Sequence, residues 1–250
     1  MTPTVFLLHA LGASGGAWRE VIAALGDRVP CVAPDLPGFG DNHAGQMDVE
    51  ATLRWLTAEI ASRAPASFLL VGHSMGGKFA TLLAARAQAG EPALDGLAGV
   101  VLLAASPPAP EPMDEDRRAT MIGWFADGEP GEDDARRFID ANVAGPLPPP
   151  LMTQAVADVR RSSPAAWTGW LERGAREDWS ERVGRLTIPA LIVAGADDGD
   201  LGIDNQRRLN LPHYPGAWIE TVPDAAHLLP YEQPAAVARL IAGAVDRARG

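Results

Sequence analysis

The fold of this chain is decided by the stretch Phe68-Leu69-Leu70-Val71-Gly72-His73-Ser74-Met75-Gly76-Gly77. A short apolar run ends there in Gly-x-Ser-x-Gly, and a helical pattern of small residues follows it. The pattern predicts a strand, a sharp turn and a helix, with Ser74 raised on the turn as a nucleophile. Gly72 and Gly76 leave out the side chains that would crowd such a turn. The first turn of the helix would point free N–H groups at Ser74.

The same segment overlaps a phosphate-binding motif. Gly72 to Lys78 reads G-x-x-x-x-G-K, which a phosphate-binding loop continues with a Ser or Thr that holds magnesium. Here Phe79 follows, and no later strand pattern supplies a clear magnesium-binding aspartate. We therefore exclude a nucleotide-binding loop and expect Lys78 to be a helix lysine that reaches solvent or a nearby carboxylate.

Composition indicates a globular protein with room for one α/β domain and an insertion. The chain has 250 residues, of which 47% are hydrophobic and 21% are charged. Its net charge of -11 argues against nucleic acid or an anionic membrane as a partner. No apolar run reaches the roughly 18 residues of a membrane span, and no signal peptide is visible, so we expect a cytoplasmic protein. Cys31 is the one cysteine, and we expect it to be a buried, inert thiol. Nothing in the sequence indicates an oligomeric state.

Six short apolar runs lack period-2 alternation, which is typical of strands that are covered on both faces. They occupy residues 4–9, 29–34, 68–71, 99–104, 190–194 and 218–222. Helical patterns between them occupy residues 18–25, 49–63, 76–89, 204–209 and 234–248. The alternation predicts an α/β fold with a doubly wound, mostly parallel sheet of about six strands.

Residues 107–186 break this alternation, because they begin with a proline-rich spacer and show helical patterns but no strand pattern. We expect them to form a helical cap inserted into a core made of residues 1–106 and 187–250. Most aromatic side chains of the insertion are expected to form its own small core, while a few face a substrate pocket beneath it. The candidates for the pocket wall are Trp124, Phe125, Leu147 and Trp170.

A nucleophilic serine needs a general base, and the base needs an acid that orients it. Of the five histidines, His227 follows the last predicted strand, at the sheet edge where open α/β sheets place their sites. We therefore favour it over His213, which lies in a loop. The acid is expected after the preceding strand, in Gly195-Ala196-Asp197-Asp198-Gly199-Asp200, where three aspartates leave the choice open.

An ester carbonyl under attack becomes an oxyanion, which two backbone N–H groups should bind. One donor is expected at Met75, the residue after the nucleophile. The other is expected in the glycine-rich loop His9-Ala10-Leu11-Gly12-Ala13-Ser14-Gly15-Gly16, where we choose Leu11.

Taken together, these motifs resemble those of the α/β-hydrolase superfamily, specifically its single-cap esterase-like members. His9-Ala10-Leu11-Gly12 is similar to the oxyanion motif His-Gly-x-Gly, and residues 35–40, Asp-Leu-Pro-Gly-Phe-Gly, are similar to the family's Asp-x-Pro-Gly-x-Gly loop. The family's acid falls three residues after a glycine, which selects Asp198. Ala226-His227, followed by Glu232-Gln233-Pro234, resembles the family's histidine segment.

The chain departs from that family pattern in two ways. Ala10 replaces a glycine of the oxyanion motif, and the chain starts at the strand that carries the oxyanion loop. The family's first two strands therefore have no room, and we expect about six strands, all parallel.

The resemblance implies a carboxylic ester hydrolase that acts on small-molecule esters through an acyl-enzyme, with Ser74, Asp198 and His227 as its catalytic triad. It implies no metal and no organic cofactor. The same machinery on this fold also serves lactonases and carbon–carbon bond hydrolases, which stay open as alternatives. A ligand receptor without turnover is less favoured, because the three triad residues are all present.

Overall fold

Six parallel strands form one sheet in the computed structural model, which describes residues 2–44 and 48–249. The strands are β1 (Thr4–Leu8), β2 (Cys31–Val32), β3 (Phe68–His73), β4 (Leu97–Leu103), β5 (Ala190–Gly195) and β6 (Trp218–Val222). Their order is β2-β1-β3-β4-β5-β6, with every neighbouring pair parallel. The chain thus winds outward in both directions from β1 and β3, and the predicted doubly wound sheet is confirmed.

Helices cover both faces of this sheet. Those outside the 107–186 segment are α1 (Arg19–Leu25), α2 (Val49–Ser62), α3 (Met75–Gln88), α9 (Ile203–Leu209), α10 (Leu229–Glu232) and α11 (Pro234–Arg249). Buried side chains of α2 and α3 pack in one apolar cluster, and those of α1 and α11 pack in another. Successive β1 residues alternate between the two clusters: Phe6 and Leu8 join the first, and Val5 and Leu7 join the second. Because β1 is covered by apolar side chains on both faces, its residues are apolar at every position and not only at every second one.

Two strands differ from their sequence-based predictions, and both are edge strands. The run at residues 29–34 forms a ladder only at Cys31 and Val32, which pair with β1 alone. The run at residues 218–222 was expected to be buried, but β6 has a neighbour on one side only. As a result Trp218 is 50% exposed, with the Arg247 guanidinium 4.7 Å from its ring centroid.

Residues 107–186 contain five helices, which lie between β4 and β5 in the chain. They are α4 (Glu115–Gly123), α5 (Glu132–Asp140), α6 (Pro149–Arg160), α7 (Pro164–Gly169) and α8 (Ser180–Val183). A turn of π-helix, Trp170–Gly174, continues α7. Within the described ranges the segment contains no strand, and no helix of the protein is both long and apolar enough to cross a membrane.

The expectation that Lys78 reaches solvent or a nearby carboxylate is wrong, because its partners are backbone carbonyls. Its side chain is fully buried, and its ammonium donates hydrogen bonds to the carbonyls of Gly174 and Glu177, at 2.9 and 2.7 Å. The sequence could not indicate these partners, because they lie about a hundred residues away in the helical segment.

The turn between β3 and α3 brings backbone into direct contact with backbone. A Cβ at Gly76 would lie 2.3 Å from the Leu8 carbonyl oxygen, and one at Gly72 would lie 2.4 Å from the Gly76 carbonyl oxygen. No side chain fits these distances, so the two glycines let α3 begin directly against β1.

We expect Gly76→Ala to lower the free energy of unfolding by at least about 2 kcal/mol, because α3 must move away from β1. Gly243→Ala is the matched control, since its Cβ would meet only an Arg247 nitrogen at 3.7 Å. Alanine in the interior of α11 should stabilise the protein by about 0.5–1 kcal/mol. Denaturant unfolding measures both changes. Equal effects of the two substitutions would contradict this account of the turn.

Candidate active site

Ser74 stands between β3 and α3 in a backbone conformation that serine rarely adopts. Its φ is 51° and its ψ is -118°, and its side chain is nearly buried. The backbone is fixed on both sides: the Ser74 N–H donates to Leu103 O at 3.0 Å, and Ser74 O accepts from the N–H groups of Gly77 and Ser106 at 2.8 and 3.0 Å. These contacts stabilise a conformation that costs about 1–3 kcal/mol by itself.

The structure brings His227 and Asp198 together at the carboxyl ends of β6 and β5. The Nδ1–H of His227 donates to Asp198 Oδ2 at 2.8 Å, which leaves Nε2 free to accept a proton. Burial disfavours the charged form of both groups, but their mutual hydrogen bond and attraction prevail. The pKa of His227 is therefore raised and the pKa of Asp198 lowered. A histidine held in this way can take up a proton and stay oriented while it is charged.

The three aspartates after β5 have three different surroundings. Asp198 Oδ1 accepts the backbone N–H groups of Asp200 and Leu201 at 3.0 and 2.9 Å, while Oδ2 faces His227. Asp197 is exposed. The Asp200 carboxylate pairs with Arg117 of α4. Of the three, Asp198 is thus the one in contact with the histidine.

The glycine-rich loop after β1 lies beside Ser74, and Leu11 lines the same cavity as Ser74 and His227. In the described part of the chain, the Leu11 N–H donates no hydrogen bond to another protein group. Met75 is the first residue of α3, so its N–H has no carbonyl partner within the helix. Both expected oxyanion donors therefore have an N–H available for a ligand.

His9 holds this loop in place. It is fully buried, its Nδ1–H donates to Ala10 O at 2.8 Å, and its Nε2 accepts the Leu36 N–H at 2.9 Å. Burial lowers its pKa, so the ring stays neutral and can accept as well as donate. The alanine at position 10 is compatible with this loop, because Ala10 is not among the non-glycine residues with positive φ.

The cavity that Ser74 and His227 share encloses about 40 Å³, and α4, α5 and the π-turn supply much of its wall. Of the four side chains expected to line the pocket, Trp170 lies on this cavity. Phe125 stacks on Trp167 with ring centroids 4.6 Å apart, and Trp124 meets Phe138 edge-on at 6.5 Å. Leu147 lines a separate groove beside Tyr231.

A second cavity, of about 30 Å³, is also lined by Trp170. Its walls come from the loop after β2, from α2 and α3, and from the π-turn, and they include Met75 and Phe79. Trp170 lines both cavities.

Two residues that sequence reasoning missed brace the His227 loop. Asn142, beyond the end of α5, accepts the N–H groups of His227 and Leu228 on its backbone carbonyl, both at 3.1 Å. His73 donates from Nε2 to His227 O at 2.7 Å. Burial, together with the nearby His227 charge, lowers the pKa of His73 to about 3, so this donor is neutral. Asn142 carries no local signal, since its partners are 85 or more residues away.

Glu111 is a further missed residue, and it lies on the cavity of Ser74 and His227. Its Oε2 accepts the Ser106 hydroxyl at 2.5 Å. Burial raises its pKa.

In the described ranges, no group of three His, Cys, Asp or Glu side chains is arranged to hold a metal ion.

Curated relatives cover much of this chain. A pimeloyl-[acyl-carrier protein] methyl ester esterase of Vibrio vulnificus is 26% identical over 214 residues, which are 79% of this chain and 76% of that protein. The biotin biosynthesis bifunctional protein BioHC of Teredinibacter turnerae is 27% identical over 94% of this chain. The match spans only 43% of that bifunctional relative.

Solved structures share the fold at low sequence identity. An esterase from Exiguobacterium antarcticum has a TM-score of 0.85 at 17% identity, over 98% of this chain and 92% of its own. The enol-lactonase of Burkholderia xenovorans has a TM-score of 0.83 at 19% identity, with the same coverage. The profile of the alpha/beta hydrolase family matches residues 5–240, and so the chain belongs to that family.

Proposed function

We propose that this protein is a carboxylic ester hydrolase that cleaves small-molecule esters through an acyl-enzyme intermediate. The observation that carries the proposal is the joint placement of the strained Ser74 and the Asp198-bound His227 on one cavity. The methyl ester esterases among its relatives support the same reaction class.

In the proposed reaction, His227 Nε2 accepts the Ser74 hydroxyl proton while the oxygen attacks the ester carbonyl. The carbonyl oxygen becomes negative and is bound by the N–H groups of Leu11 and Met75. The imidazolium of His227 is stabilised by Asp198 and then donates its proton to the leaving alcohol. Water, activated by the neutral His227, then hydrolyses the acyl-enzyme and restores Ser74.

We further propose that residues 107–186 act as a cap that sets substrate size. A cavity of about 40 Å³ has room for roughly three water molecules, so only a small group fits beside Ser74 while the helices stay in place. This favours esters with a short acyl or alcohol part, such as a methyl ester. Longer substrates require the helical segment to move.

Ser74→Ala should reduce ester hydrolysis by about 10⁴-fold or more, because triad members act as a unit. Ser62→Ala, an exposed serine at the end of α2, is the control and should keep full activity. We would measure turnover of an aryl acetate and circular dichroism on both variants, and labelling by a fluorophosphonate. A folded Ser74→Ala protein within about tenfold of wild type would refute the nucleophile assignment.

Asp198→Asn should lower kcat by at least about 10³-fold, because the amide favours the wrong tautomer of His227. Asp197→Asn is the matched control, because that side chain is exposed, and it should stay close to wild type. Asp200→Asn breaks the pair with Arg117 and should cost far less than Asp198→Asn. If Asp197→Asn were the most damaging of the three, a neighbour of Asp198 would be the acid.

The pH dependence gives an independent check on the same pair. Asp198 raises the pKa of His227 above its ordinary 6.5, so activity of the wild type should fall as pH decreases through a value above 6.5. Residual activity of Asp198→Asn should fall at a lower pH, because the imidazolium has lost its carboxylate partner. The measurement is kcat/KM across pH 5–9 on both proteins, and an unmoved acid limb would contradict the pairing.

Trp170→Leu should widen the site by joining the two cavities, and the preferred ester should become longer. Each buried methylene contributes up to about 0.8 kcal/mol, which is roughly fourfold in kcat/KM per carbon. Trp124→Leu is the control, since Trp124 packs on Phe138 and does not line either cavity. The test is a chain-length series of aryl esters. The same length profile in the wild type and Trp170→Leu would show that Trp170 does not limit the substrate.

A further inference from the structure

The chain has a single lysine, and that lysine is buried near the proposed nucleophile. Of the 21 lysine and arginine residues, only Lys78 is a lysine. It lies on α3, four residues after Ser74, and its side chain has no exposed surface. A buried cation requires partners, because an unpaired charge is strongly destabilised inside a protein.

The partners of Lys78 come from both ends of the helical segment. Its ammonium donates to Gly174 O at 2.9 Å and Glu177 O at 2.7 Å, near the segment's return to the core. It also reaches Ala109 O at 3.4 Å, near the point where the segment leaves the core. One side chain of the nucleophile helix thus joins both ends of the segment.

All other basic residues counted with Lys78 are arginines, and the three carbonyl acceptors around its ammonium, which we call the lysine seat, favour a lysine at this position. An ammonium has three N–H groups in a tetrahedral arrangement, and the three acceptors are single carbonyl oxygens. The planar guanidinium of arginine instead suits paired oxygens such as those of a carboxylate. Gly174 ends the π-turn, so its carbonyl has no partner further along that helix.

Lys78 also lies close to the side chain of Trp170, which lines both cavities. Its Nζ is 5.9 Å from the centroid of the Trp170 ring, within the range of a cation–π contact. Trp170 lies on the π-turn, and Lys78 binds the last carbonyl of that turn. The position of the Trp170 side chain therefore depends on the hydrogen bonds of Lys78.

We propose that Lys78 is a positioning residue that seats both ends of the helical segment on the nucleophile helix, and that the segment opens more readily while this ammonium is protonated. The seat itself is independent of the enzyme's reaction. Its effect on substrate entry rests on the proposed ester hydrolysis.

The direction of the pH effect follows from solvation. Burial lowers the pKa of Lys78 to about 8, against the opposing charges of Glu111, Glu177 and Asp178, whereas an opened segment would expose the amine and restore its ordinary value of 10.5. Between these values the closed form holds fewer protons than the open form. Raising the pH from about 8 towards 10.5 therefore favours closure, by up to tenfold per pH unit. Below about 8 both forms are protonated, and this dependence disappears.

The direct test is the titration of the single lysine. With ¹⁵N-lysine labelling, the side chain gives one ammonium signal, which is followed by NMR from pH 6 to 10.5. We expect a midpoint near 8 in the wild type. A midpoint at 10 or above would show an exposed amine and overturn the proposal. This measurement needs no turnover, so it stands even if the proposed reaction is wrong.

Opening is measured by amide hydrogen exchange across residues 107–186, corrected for the intrinsic effect of pH. Protection should rise between pH 8 and 9.5 in the wild type. It should be independent of pH in Lys78→Met, which cannot titrate, and in Lys78→Arg, which stays charged. Arg86→Met is the matched control: it removes a cation of α3 that forms an ion pair with Glu50 and, in the described ranges, donates to no carbonyl of the helical segment, so it should behave as wild type.

Substrate entry is measured as the ratio of kcat/KM for a long and a short aryl ester. The ratio cancels the titration of His227, and it should fall above pH 8 only where Lys78 can lose its proton. A ratio that depends on pH equally in the wild type, Lys78→Arg and Lys78→Met would overturn the proposal. If Lys78→Met does not fold, the wild type and Lys78→Arg still decide. Fluorophosphonate labelling of Ser74 tests the proposed reaction separately.

Discussion

The left-handed backbone at Ser74 is the constraint on which the rest of the site depends. A serine at φ 51° is unfavourable by itself and persists only because neighbouring backbone holds it. The carbonyl of Leu103 on β4 and the amides of Gly77 and Ser106 supply that hold. The same turn starts α3 at Met75, so the proposed nucleophile and one proposed oxyanion donor are fixed by a single local geometry. The close contact of Gly76 with β1 then ties this geometry to the middle of the sheet.

His227, the proposed base, is held differently, by polar groups that come from distant parts of the chain. His227 lies on a loop. Its backbone N–H donates to the Asn142 carbonyl, and its backbone carbonyl accepts from the His73 ring. The preceding residue, Ala226, donates its N–H to Glu232. His73 and Asn142 are themselves buried, and in such surroundings hydrogen bonds are stronger and an unmade partner is costly. Asn142 belongs to the helical segment. That segment therefore orients the histidine besides covering the cavity, which couples its position to the proposed chemistry.

The sequence predicts those parts of the molecule that depend on local patterns. Apolar runs, flanking turns and the Gly72–Gly76 spacing located the strands, the turn at Ser74, and the two loops with Asp198 and His227. The edge position of β6 was missed, although its sequence Trp-Ile-Glu-Thr-Val contains a glutamate, which none of the central strands β3, β4 and β5 does. The burial of Lys78 and the contacts of Asn142 and Glu111 were missed for the same physical reason. Their roles arise from contacts between segments far apart in the sequence, which leave no local pattern.

If the helical segment opens as proposed, a buried lysine beneath it has a consequence that a hydrophobic side chain in the same place would not have. A seat filled by a hydrophobic side chain could be as stable or more stable, since removing a cation from water is costly even with good hydrogen bonds. A hydrophobic side chain, however, would gain no favourable hydration free energy when the helical segment opened. The ammonium of Lys78 gains full hydration on opening, which offsets part of the loss of its three carbonyl contacts. The helical segment is thus held by bonds that are specific in geometry and modest in net free energy, and elements of low local stability are the ones that open. Because the cavity beside Ser74 holds about 40 Å³, a proposed esterase with this site needs such an element to admit any substrate larger than the closed cavity.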